Sequence, residues 1–165
     1  MLGPISLRPT TSEDEAFLLD LYAGTRSDEL AVLVGDEQLK STFVRMQYGA
    51  QKQQYLRSYP NANNSIILLN DAPVGRLIVN RAESEWTLVD ISLLPEHRGL
   101  GIGTHLLKEL LNEASATSKR VRLHVLQSNP AKQLYERLGF SIVNSDQVYC
   151  EMISSAGHNF TATKG

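Results

Sequence analysis

Apolar residues recur along this chain with two different periods, and the places where the period changes mark its elements. Ile5-Ser6-Leu7-Arg8 alternates apolar and polar until Pro9 stops it, which predicts a short strand. Ser12 and Glu15 have the spacing of a capping box, and Phe17, Leu18, Leu21 and Tyr22 follow at helical spacing. A first helix is therefore predicted from Glu13 to Ala23. Asp36 is placed to cap a second helix whose stripe is Leu39, Phe43, Met46, Ala50 and Gln54. Pro60 and the polar run Asn61-Ala62-Asn63-Asn64-Ser65 predict a turn after it.

From there the period shortens. Ile66 to Leu69 and Val74 to Val79 read as strands joined by the turn residues Asn70-Asp71-Ala72-Pro73. Trp86 to Leu94 is a longer strand ended by Pro95. Leu106, Leu107, Leu110, Leu111 and Ala114 make the buried stripe of a long helix. Val121 to Leu126 is a strand, Pro130 to Leu138 a short helix closed by Gly139, and Phe140 to Val143 and Val148 to Ile153 are the last strands. The order βααβββαβαββ predicts an α/β (α+β) fold, a mixed sheet with helices on both faces.

Length and composition narrow the picture. A chain of 165 residues suits one domain, expected over residues 1–153, with a polar, flexible tail over 154–165. The net charge of -2 lacks the basic excess of a nucleic-acid binder. Cys150 is the single cysteine, so no internal disulfide forms, and no His or Cys pair has zinc spacing. No apolar run approaches the roughly 20 residues of a membrane span, and Met1 to Pro9 lacks a leader pattern. The expectation is a cytoplasmic protein without a metal, not bound to nucleic acid or membrane.

The chemistry concentrates in Leu93-Leu94-Pro95-Glu96-His97-Arg98-Gly99-Leu100-Gly101-Ile102-Gly103-Thr104, between a strand and the long helix. A helix start offers unpaired N–H groups and a partial positive charge. Glycines let a phosphate approach that backbone closely, and Arg98 adds a positive charge. A P-loop would need Gly-Lys-Ser/Thr, but Thr104 and His105 follow Gly103. A dinucleotide fingerprint would need one more residue before its last glycine, and the acidic residue expected downstream of it is missing.

Arg98, Gly101 and Gly103 fit R-x-x-G-x-G. Downstream, Leu123-His124-Val125, Asn129-Pro130-Ala131 and Leu134-Tyr135-Glu136-Arg137-Leu138-Gly139-Phe140 follow in order. Together these motifs resemble those of the GCN5-related N-acetyltransferase (GNAT) superfamily. Ala131 lies two residues after Asn129 where the family usually has three. The resemblance covers Trp86 to Phe140; before it, only the order of elements is similar.

The resemblance implies a centrally splayed sheet and acetyl transfer from acetyl-CoA to a primary amine of a small molecule or a peptide, by direct attack on the thioester. It implies that the backbone of Gly99, Leu100, Gly101, Ile102, Gly103 and Thr104, with Arg98, holds the pyrophosphate of coenzyme A. It gives Leu93 and Leu94 the pairing with pantetheine and the polarising of the thioester carbonyl. It adds a hydrogen bond from pantetheine to Asn129, which is also a good helix cap before Pro130. Tyr135 becomes the general acid for the leaving thiolate, although Ala131, Leu134, Tyr135 and Leu138 share a face that also suits a core.

The base is open between two residues. His124 carries an imidazole at a place where acetyltransferases of protein N-termini often have glutamate. Asp90, in Val89-Asp90-Ile91, resembles the acidic pair of polyamine acetyltransferases with its glutamate lost. Asp28 and Glu29 could attract a cationic amine, and Gln47, Gln51 and Tyr55 could line an acceptor pocket or be plain surface. The competing class is a non-catalytic acyl-CoA-binding module. The acceptor amine, the length of the acyl group and a homodimer are all left open.

Overall fold

The computed structural model describes residues 2–31 and 35–155. Strands β1 (Ile5–Pro9), β2 (Asn63–Leu69), β3 (Ala72–Arg81), β4 (Trp86–Leu93), β5 (Val121–Leu126), β6 (Ser141–Ser145) and β7 (Tyr149–Ile153) form a seven-stranded sheet in the order β1-β2-β3-β4-β5-β7-β6. Helices are α1 (Glu15–Thr25), α2 (Ser27–Leu30), α3 (Glu37–Ser58), α4 (Ile102–Ala116) and α5 (Ala131–Arg137). The sheet is mixed, as expected. β1–β2, β5–β7 and β6–β7 run antiparallel, and β4–β5 run parallel. Among the described residues that parallel register runs from Trp86↔Val121 to Leu88↔Leu123, while β5 continues against β7 as far as Leu126↔Tyr149.

The chain divides into two compact units, Met1–Ile78 with Asp90–Arg98, and Val79–Val89 with Gly99–Gly165. The first is built on α1 and α3. Leu18, Leu21, Tyr22, Val44, Tyr48 and Ile66 make its buried cluster, with Leu30, Leu68 and Leu94 packed against it. The rings of Tyr22 and Tyr48 meet at 5.8 Å. In the second unit α4 presents Ile102, Leu106, Leu107, Leu110, Leu111 and Ala114 as a buried stripe. Each such leucine contributes on the order of 1.5–3 kcal/mol by leaving water.

Several expected details shift. The capping box sits one residue earlier: Asp14 accepts from the Thr11 N–H, and Thr11 Oγ1 accepts from the Glu13 N–H. Asp14 wins because its carboxylate is also gripped by Arg8 at 2.8 and 2.9 Å. Asp36 does cap α3, accepting from the Leu39 N–H at 2.9 Å. The predicted stripe of α3 is wrong, since Leu39 and Met46 are 50% and 70% exposed and the helix buries Val44 and Tyr48 instead. The polar residues Asn63 to Ser65 are strand rather than turn, because β1 pairs through Pro9↔Ser65 and the Thr10 N–H reaches the Asn64 carbonyl. The β2–β3 reversal needs only Asn70 and Asp71, both left-handed at φ 51° and 67°. That is the backbone of a two-residue hairpin turn, and Asn and Asp tolerate it best after glycine. The tail from residue 156 onward lies outside the described residues.

Candidate active site

The start of α4 is unusual for a helix of its length. Its capping residue is Gly101, no side chain caps it, and its first turn holds no acidic residue. Gly99 and Gly101 have φ of 73° and 90°, values that a side chain would strain. A Cβ at Gly99, Gly101 or Gly103 would meet nothing within 4 Å, so no crowding by the protein itself demands glycine there. An uncapped N-terminus carrying a partial positive charge, fronted by open space, fits a pyrophosphate chemically. The residues therefore suit coenzyme A.

Arg98, in the first unit, is exposed and folds back. Its Nε donates to the Leu93 carbonyl at 3.0 Å and its Nη2 to the Gly24 carbonyl at 3.4 Å. The Leu94 N–H donates to the Val74 carbonyl at 2.9 Å, so that donor is spent within the hairpin. Leu94 packs its side chain on the α1–α3 cluster. Gly75 lets β3 and β4 approach closely, since a Cβ there would lie 2.3 Å from the Ser92 carbonyl.

Asp90 does not stand as a lone carboxylate. Its Oδ2 accepts from Arg76 Nε at 2.8 Å, and Ser92 Oγ lies 3.1 Å from both its oxygens. Arg76 is only 8% exposed, and its Nη2 donates onward to Gln51 at 2.9 Å. The guanidinium lies 5.9 Å from the ring centre of Tyr55, whose hydroxyl pKa is raised by burial and then by the Asp90 charge. Gln51 and Tyr55 therefore serve this ionic cluster, while Gln47 is exposed. The side chains of Asp28 and Glu29 lie outside what is described.

The second unit holds the other candidates. Tyr135 is 7% exposed, and the end of its helix explains why. Gly139, at φ 98°, lets its N–H reach the Glu136 carbonyl and the Phe140 N–H reach the Tyr135 carbonyl at 3.0 Å. This is a Schellman cap, and its usual hydrophobic contact is the packing of Phe140 on Tyr135, ring centres 5.7 Å apart. The sequence Tyr135-Glu136-Arg137-Leu138-Gly139-Phe140 is thus a device that locks the tyrosine ring. Asn129 Oδ1 accepts from the Ala131 N–H at 2.9 Å, so the expected capping bond forms at the start of α5.

His124 projects from the exposed side of β5, whose alternate residues Leu123 and Val125 are buried. Its side chain is 51% exposed, and its Nε2 lies 3.1 Å from Glu151 Oε2. Glu151 was not singled out by sequence, although a lone acid between the apolar Cys150 and Met152 was visible. Arg76, Arg122 and Glu85 were also missed, because pairing between distant segments leaves no local pattern. Among the described residues no group of His, Cys, Asp and Glu is arranged to hold a metal, and no helix is long and apolar enough to cross a membrane.

Residues 61–142 match the family profile described as acetyltransferase (GNAT) domain. A protein of Haemophilus influenzae named [ribosomal protein bS18]-alanine N-acetyltransferase is 32% identical over 110 residues, which span 66% of this chain and 70% of that protein. The chain belongs to the GNAT acetyltransferases. As a GNAT enzyme it is an acetyl-CoA-dependent N-acetyltransferase, as its motifs implied. N-alpha-acetyltransferase 50 of Danio rerio is 34% identical over 94 residues, covering 53% of this GNAT chain and 56% of that protein. The crystal structure of PaiA N-acetyltransferase from Thermoplasma acidophilum in complex with coenzyme A overlays with a TM-score of 0.69 at 19% identity, covering 92% of this chain and 99% of that one. At that identity the likeness speaks for the GNAT fold.

Proposed function

We propose that this enzyme acetylates the α-amino group of a protein or peptide, with His124 as general base and Tyr135 as general acid. The observation that carries the choice of base is the contrast between the two candidates. Asp90 is occupied by Arg76 and Ser92, whereas His124 is open to solvent and meets one carboxylate. The similarity to enzymes named for a ribosomal-protein alanine and for N-alpha acetylation supports the acceptor class. Chemistry supports it too: an α-amine titrates near 7.7–8.0, within reach of an imidazole, while a lysine-like amine titrates near 10.4.

Acetyl-CoA supplies an activated acyl carbon and a thiolate leaving group. The backbone from Gly99 to Thr104 would hold its pyrophosphate, Leu93 would offer backbone pairing to pantetheine and Asn129 a further polar contact. His124 takes the proton that the amine loses as its nitrogen bonds to the acyl carbon. Tyr135 gives its hydroxyl proton to the departing sulfur. One C–N bond forms as one C–S bond breaks, and both protons are accounted for.

Thiol release from acetyl-CoA tests the acceptor. Peptides with a free amino terminus should be turned over, and the same peptides blocked at that terminus should not. Faster turnover of polyamines or amino sugars would overturn the acceptor assignment. Tyr135→Phe keeps the ring against Phe140 and removes only the hydroxyl. It should lower kcat by roughly 10²–10⁴-fold, with acetyl-CoA affinity little changed. Wild-type turnover in that variant would return Tyr135 to the core alone.

A further inference from the structure

His124 and Glu151 are register partners in the antiparallel β5–β7 pair, so their side chains share one face of the sheet. Glu151 Oε2 lies 3.1 Å from His124 Nε2 and forms an ion pair with Arg122 Nη1 at 3.2 Å. Arg122 is held in turn by Glu85, Nε to Oε1 at 2.6 Å and Nη2 to Oε2 at 3.3 Å. The supporting side chains Glu151, Arg122 and Glu85 are 26%, 28% and 31% exposed, against 51% for His124. All three supporting side chains are more sheltered than the histidine that the chain of charges ends on.

From this arrangement we infer that Glu151 is a positioning residue for the general base. An ionised carboxylate can only accept, so the neutral imidazole must carry its hydrogen on Nε2. That leaves the lone pair on Nδ1, which becomes the atom that takes the proton from the amine. Arg122, braced by Glu85, stops Glu151 from swinging away and fixes the ring plane through it. The logic is that of a carboxylate orienting a catalytic imidazole, built here across two strands. The alternative is a plain cross-strand ionic ladder, which at such exposure adds little to stability and has no reason to affect turnover. The inference rests on His124 being the base, so its test separates the two.

Turnover of an amino-terminal peptide is measured for His124→Ala, Glu151→Gln and the double variant. Glu151→Gln should lower kcat roughly tenfold or more, a part of the 10²–10⁴ that a positioned base contributes, and leave KM for acetyl-CoA unchanged. The double variant should be no slower than His124→Ala, because a positioner has nothing left to position. Multiplying losses, or wild-type kcat in Glu151→Gln beside a slow His124→Ala, would overturn the role of Glu151 and leave the base in place. Wild-type kcat in His124→Ala would overturn the base itself. Should the Gln variant not fold, Glu151→Asp makes the same comparison, with its carboxylate one methylene short of Nε2.

Discussion

The helices α3 and α4 begin in opposite ways. α3 starts under Asp36, which accepts the Leu39 N–H, with Glu37 in its first turn. α4 starts at a left-handed glycine with neither a capping side chain nor an acid nearby. Every helix must satisfy its first N–H groups, and carboxylates are the common solution. A sequence that supplies one for α3 and withholds it from α4 leaves α4 its positive end for something from outside the chain. The short turn Ser12–Asp14 that leads into α1 is closed as well, its Asp14 accepting from the Thr11 N–H and gripped by Arg8. α3 is closed by one of the protein's own acids, and α4 is left open.

The most severe test fills the open start. Gly103 has an ordinary backbone conformation and free space above it, so Gly103→Val should fold. The branched side chain would stand where the pyrophosphate approaches. Coenzyme A affinity measured by calorimetry should fall about 100-fold or more, roughly 2.7 kcal/mol, with the melting temperature little changed. Unaltered affinity in a folded variant would end the assignment of this loop.

That contrast was half legible in the sequence. Gly99, Gly101 and Gly103 ahead of an amphipathic stripe read as the makings of an anion site, and Leu106 to Ala114 announced the helix behind it. The Leu-Tyr and Gly-Phe pieces of the second motif were legible as well, because a Schellman cap is a local device with fixed spacing. What escaped was non-local. The buried face of α3 is chosen by α1 and the sheet, so Val44 and Tyr48 are covered while the apolar Leu39 and Met46 are left outside. Asp90 read as a candidate base because its partner Arg76 lies on another strand, inside the predicted apolar run Val74 to Val79. Glu151 was invisible as a partner of His124 until the register of β7 was known.

The closed starts can be broken in turn. Asp14→Asn should cost about 2 kcal/mol of stability, in the range for a hydrogen bond to a charged group, with no loss of coenzyme A affinity. Its pH dependence has a definite sign. The Arg8 hydrogen bond, and then the Thr11 N–H, hold the Asp14 carboxyl well below the usual carboxylate range. A depressed folded value means that the contribution is fully present above the unfolded pKa of about 3.9 and is lost as pH falls below it. Wild type should therefore lose stability between about pH 5 and 2 more steeply than Asp14→Asn does. Parallel curves from denaturant titrations would show that Asp14 adds nothing specific. Asp36→Ala should cost less, about 1 kcal/mol, again without touching the cofactor.

The smallest effect is the most discriminating, because it runs in opposite directions for folding and for binding. Thr104 is the third residue of α4, where a carboxylate would face the unpaired N–H groups. Thr104→Asp would give α4 the acid that α3 already has. A carboxylate in a first turn is worth about 0.3–1 kcal/mol to a helix, so thermal stability should rise slightly. The same charge competes with the pyrophosphate for the same N–H groups and repels it. Coenzyme A affinity should drop by about fivefold, close to 1 kcal/mol, with the loss shrinking at high salt. Asp36→Ala supplies the mirror image, less stable and equally tight. If Thr104→Asp gains stability and binds as tightly as wild type, the α4 start is merely uncapped, and the anion is held by Arg98 or another group. If it loses both, the substitution has disturbed packing and says nothing for an anion site, and the case for the α4 dipole falls back on Gly103→Val alone.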